Sequence, residues 1–115
     1  MRDYRKYEVW KLGHKITLKV YDITKIFPKD EQFGLISQMR RASYSIPSNI
    51  SEGCGRESDA EFKRFLVIAR GSAAELEYFT VLANDLGYLD EVTHTQIYDD
   101  VNKVKRSLNN LIQKI

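Results

Sequence analysis

The chain has 115 residues, 43% hydrophobic and 30% charged, with a formal net charge of +2. This suits one domain with its own core and excludes a disordered segment. A single cysteine, Cys54, excludes an internal disulfide framework, and no apolar run approaches the ~18 residues of a membrane span.

The N-terminal stretch MRDYRKYEVWK lacks the apolar centre of a secretory signal, so the expected location is cytoplasmic. The first helix is expected from Glu8 to Phe27. Val9, Leu12, Ile16, Val20, Ile23 and Phe27 are spaced 3, 4, 4, 3 and 4 apart, an unbroken apolar stripe. Pro28 ends it, because the residue before a proline is pushed out of helical geometry. Trp10, Gly13, Thr17 and Tyr21 form a second stripe on an adjoining face. One core does not need both stripes, so these four residues are read as an oligomer interface.

The second helix is expected to start near Asp30. Its stripe of Leu35, Met39, Ala42, Ile46 and Ile50 passes straight through Pro47. A proline normally breaks a helix. The stripe stays in phase across it, which predicts a continuous helix kinked at Pro47. Pro47 leaves the Ser43 carbonyl without its helical donor, and nearby serines offer hydroxyls. Gly53 and Gly55 then close the helix.

Ser58 to Glu61 reads as a capping box that opens the third helix. Its broad apolar face includes Phe62, Phe65, Leu66, Ala69, Ala73, Leu76 and Ala83, and Gly87 stands where a helix ends. The fourth helix is expected from Asp90 to Lys114. Ile97, Val101, Val104, Leu108, Leu111 and Ile115 are its core stripe. Its acids lie early and its bases late, as the helix dipole prefers. Four amphipathic helices with short connections predict an all-α, up-down-up-down four-helix bundle spanning residues 1–115 as a single domain.

No catalytic set stands out. His14 and His94 lie on different helices without carboxylate or cysteine at ligand spacing, and read as solvated or packing residues. Cys54 has no obvious base and reads as inert. Gly53-Cys54-Gly55-Arg56 before a helix hints at an anion nest, but it lacks the lysine and third glycine of phosphate motifs. It reads as a structural turn. No cofactor or metal is expected.

Two features carry the functional reading. The first is a polar seam. Arg41 and Glu52 share one face of the second helix beside its core stripe, with Asn49 near the edge and Arg40 on the other flank. Arg70 and Glu75 belong to the third helix. Arginine–carboxylate pairs between the two helices fix register, so a structural seam is favoured over a catalytic site. The same groups alternatively line the interior of a ring. The second feature is basic. Residues 1–29 hold eight Lys/Arg against three acids. Lys11, Lys15 and Lys19 share one face of the first helix, preceded by Arg2, Arg5 and Lys6. This is the candidate nucleic-acid surface.

The stretch QMRRASYSIPSNISEGCGR, followed by ARGSAAEL, resembles the four-helix-bundle proteins encoded by intervening sequences in bacterial 23S rRNA genes. The resemblance rests on Gln38, Arg40, Arg41, Ala42, Ser45, Ile46, Pro47, Asn49, Ile50, Glu52, Gly53, Gly55 and Arg56, then on Ala69 to Ser72, Glu75 and Leu76. Ser51 departs from it, standing where that family usually has alanine. The resemblance implies a homo-oligomeric ring, expected as a pentamer, associated with RNA or other nucleic acid. A related branch comprises accessory proteins of diversity-generating retroelements. The expectation is therefore a non-enzymatic, ring-forming RNA- or DNA-associated bundle with no membrane partner. Two rivals stand beside it. One is a protein-interaction scaffold whose basic face is incidental. The other is a hydrolase or transferase using Glu52 and Glu75.

Overall fold

The computed structural model describes residues 2–115. Four helices account for most of them: α1 (Glu8–Ile23), α2 (Leu35–Cys54), α3 (Asp59–Asp85) and α4 (Glu91–Gln113). Each helix packs on its chain neighbour, and α1 closes the bundle against α4. The result is an elongated four-helix bundle of 43 × 24 × 19 Å.

The apolar stripes meet along its axis. Ile16 and Val20 from α1, Met39, Ile46 and Ile50 from α2, Leu66 and Leu76 from α3, and Val101 and Leu108 from α4 are all buried. Burying side chains of this size contributes roughly 1.5–3 kcal/mol each, set against the entropy of ordering the chain.

Two boundaries differ from expectation. α1 stops at Ile23, four residues before Phe27, and passes into a 3-10 turn at Thr24–Ile26. Phe27 itself is extended, with φ −66° and ψ 153°, as the residue before Pro28 must be. α2 starts at Leu35 instead of Asp30, after a separate 3-10 turn at Lys29–Glu31. Gly34 breaks the path with ψ −111°, and Glu31 Oε1 then accepts the Leu35 N–H at 3.2 Å, serving as the cap.

The other ends follow the sequence signals. Ser58 Oγ accepts from Glu61 N at 3.1 Å and opens α3. Its far end closes with Gly87 at φ 79°. Tyr88 N–H reaches back to Ala83 O at 2.9 Å, and Gly87 N–H to Asn84 O at 3.0 Å. This pair of bonds satisfies two otherwise orphaned carbonyls. Asp90 accepts from Thr93 N at 2.7 Å and starts α4.

Candidate functional site

α2 runs unbroken through Pro47, and the crossing of α1 over that proline shows what makes this tolerable. Thr17 Oγ1 lies 3.0 Å from the Ser43 carbonyl oxygen, the acceptor that Pro47 deprives of its helical donor. The same hydroxyl is 2.8 Å from Gly13 O on its own helix, so it donates to either carbonyl. Gly13 permits the approach. A Cβ there stands 2.9 Å from Ile46 Cγ2 and 3.4 Å from Pro47 Cδ.

These contacts take Gly13 and Thr17 out of the face expected, with Trp10 and Tyr21, to be an oligomer interface. Gly13 and Thr17 are buried inside the protomer against α2. Trp10 is half-buried, stacks on His14 with centroids 5.1 Å apart, and donates its indole N–H to Ser51 Oγ at 3.0 Å. Ser51 in turn donates to Pro47 O at 2.9 Å. The serine that departs from the family pattern therefore has a role, missed in the sequence because its partner is 41 residues away. Tyr21 remains 39% exposed, beneath the Arg40 guanidinium at 4.7 Å.

The seam residues divide among different tasks. Arg41 Nη2 meets Glu75 Oε1 at 2.7 Å and ties α2 to α3. Both side chains keep about 40% of their surface exposed, so this is a surface pair and not a buried one. Arg40 turns the other way. Its Nε donates to Thr24 Oγ1 at 2.9 Å and its Nη2 to Tyr21 O at 3.3 Å, placing a cation at the C-terminus of α1. Asn49 donates to Ser45 O within α2 at 2.7 Å. Glu52 faces Arg56 at 3.7 Å on the surface, and Arg70 donates to Asn109 on α4 at 3.0 Å. Glu52 lies eleven residues beyond Arg41, roughly 16 Å along α2, which separates it from the Glu75 pair. The two glutamates do not form one site.

The basic residues also divide. Lys19 is pinned to Asp100 of α4 at 3.1 Å, and Arg2 is paired with Asp59 while stacking over Phe62 at 4.2 Å. Lys11 and Lys15 are exposed and make no ion pair among the described residues. Arg5 and Lys6 are exposed in the 3-10 turn that precedes α1, Arg5 over the Tyr4 ring at 5.1 Å. Where the N-terminus meets the α2–α3 turn, an open cleft of about 590 Å³ is lined by Arg2, Gly55, Arg56 and Glu57. Glu52 and Asp59 already pair with its arginines, so the cleft offers an anion no unmatched charge.

Gly53 and Cys54 belong to α2 instead of forming a nest. Gly53 is needed for close packing, since a Cβ there stands 2.9 Å from Phe65 Cβ. Cys54 is buried, and that burial pushes its thiol above the usual range, against the opposing pull of Arg2. Among the described residues no group of His, Cys, Asp or Glu is arranged to hold a metal ion. Among the described residues no helix is long and apolar enough to cross a membrane.

A family model described as 23S rRNA-intervening sequence protein matches residues 5–110. Among solved structures, the chain is similar to a protein of unknown function from the S23 ribosomal protein family of Bacteroides thetaiotaomicron. The two share 24% identity at a TM-score of 0.84, covering 91% of this chain and 95% of that one. At that identity the likeness shows the fold. No curated protein matches.

Proposed function

The chain belongs to the family of 23S rRNA-intervening sequence proteins, and from that premise we propose a non-enzymatic, homo-oligomeric bundle that associates with RNA, rRNA in the first instance. One observation carries the reading. Lys11 and Lys15 project from one face of α1 with no carboxylate partner among the described residues, and Arg5 and Lys6 precede them in the chain. Long, unpaired cations on a helix face neutralise phosphates without reading bases. Binding is therefore electrostatic and tolerant of sequence. A closed ring, expected from the family resemblance to hold five copies, repeats the face around its rim and adds avidity. The place of action is the cytoplasm, where RNA is at hand. Glu52 and Glu75, the carboxylates of the hydrolase or transferase reading, lie roughly 16 Å apart along the bundle, and this supports the non-enzymatic reading.

The test is binding of rRNA fragments across a salt series, followed by fluorescence anisotropy. Affinity falls steeply with salt, with a log–log slope of roughly −0.7 per single-strand phosphate neutralised. The Lys11→Glu/Lys15→Glu variant weakens binding to different RNAs about equally and keeps its helical circular dichroism. Lys19 is left intact because it holds α1 to α4. Absence of salt-sensitive binding to any RNA or DNA at low ionic strength overturns the reading in favour of a protein scaffold.

A further inference from the structure

α3 buries one face in the bundle through Phe62, Leu66, Ala69, Ala73, Leu76 and Thr80. Its opposite face is open and patterned. Arg64, Gly71, Tyr78 and Asp85 recur at intervals of seven residues, all exposed. Val67 is 39% exposed, Tyr78 59% and Val81 36%, a high apolar content for a solvated face. A seven-residue repeat is the period of helices that pair with other helices.

Gly71 sharpens the point. A glycine inside a helix weakens it relative to alanine. Gly13 and Gly53 each stand against a neighbouring side chain, but a Cβ at Gly71 meets nothing within 4 Å. Nothing within the protomer accounts for the missing side chain. Its absence, with Ala74 three residues on, clears the middle of the face for close approach from outside.

The charges select the occupant. We propose that a second copy of this chain packs antiparallel on the outer face of α3, about a two-fold axis beside Ala74. In that register Arg64 faces Asp85 of the second copy, and Gly71 receives the ring of its Tyr78. Val67 meets the open edge of Leu82, whose inner side packs on its own core. Both end charges are matched, twice over by symmetry, whereas a parallel pairing sets Arg64 against Arg64. Arg64 makes its contacts within its own helix, to Glu61 at 3.4 Å and over the Phe65 ring at 5.1 Å, and Asp85 has no ion pair among the described residues. The contact is two-fold and so is distinct from the head-to-tail contacts that close a five-membered ring. It does not depend on nucleic-acid binding.

The experiment compares the solution mass of the full chain with that of Gly71→Glu, Arg64→Asp, Asp85→Arg and the double swap Arg64→Asp/Asp85→Arg. The space at Gly71 is open, so Gly71→Glu folds, as circular dichroism checks. Wild type associates in an even number of copies, and Gly71→Glu halves the mass. Each single charge variant weakens the contact by roughly tenfold, because two symmetry-related pairs turn repulsive, and the double swap restores it. A wild-type monomer overturns the proposal, as does a double swap that stays dissociated. A wild-type pentamer whose mass ignores all the variants also overturns it while leaving the ring standing. A decamer that Gly71→Glu splits into pentamers supports both.

Discussion

Thr17 Oγ1 stands 3.0 Å from the Ser43 carbonyl, which has no helical donor because residue 47 is proline. The hydroxyl of one helix thus repairs a gap in the backbone of the next. Thr17→Val keeps the shape and removes the donor. Leaving a buried carbonyl unsatisfied costs about 1–3 kcal/mol. Pro47→Ala restores an N–H to that carbonyl, so the same change costs less in that background. A double-mutant cycle by urea denaturation shows coupling of about 1 kcal/mol between residues 17 and 47. Strictly additive effects sink the repair idea.

Gly13→Ala tests how closely α1 must approach. Alanine is the better helix former, by up to about 1 kcal/mol. Its Cβ, however, meets Ile46 Cγ2 at 2.9 Å inside a packed core. Overpacking costs about 1–3 kcal/mol, so the variant is net destabilised and its thermal midpoint falls. A rise in that midpoint shows the helices free to part.

The Arg41–Glu75 pair connects α2 and α3 but keeps about 40% of each side chain in solvent. Water screens such a pair, and its coupling is below about 1 kcal/mol. Arg41→Ala and Glu75→Ala each lower stability by about that much, and less at high salt. A loss of several kcal/mol for either reveals that assembly buries the pair further.

Asp90 contributes to the acid limb of stability. Its carboxylate accepts the Thr93 N–H at 2.7 Å, and that bond holds its pKa below the ordinary value. A depressed carboxylate contributes stability that is present above its unfolded pKa, about 4, and is lost as pH falls through the folded one. Asp90→Asn keeps a capping oxygen but does not titrate. Thermal melts from neutral to acid pH show a shallower decline for Asp90→Asn than for wild type. Parallel declines assign the acid limb to other carboxylates.

Local signals carried much of this fold. The apolar periods of four segments, the Ser58 cap, the Gly87 stop and the phase of Ile46 and Ile50 across Pro47 are properties of neighbours in the chain, and all four helices followed from them. The motif around Pro47 was legible enough to point to the family that the match over residues 5–110 shows. The chain could not by itself say where α1 and α2 cross. Gly13 and Thr17 look like a spare face when α1 is read alone; only the neighbouring Ile46 and Pro47 make them core. Ser51 looks like a neutral change until Trp10 is brought to it. Lys19 and Arg2 read as free cations until Asp100 and Asp59 arrive from far along the chain. Periodicity determines which face of a helix is apolar, because that depends on residues three and four apart. Which polar groups find partners depends on how helices are rotated and spaced against one another. That was decided by the small side chains and the missing N–H at one crossing, which act only once the bundle is assembled.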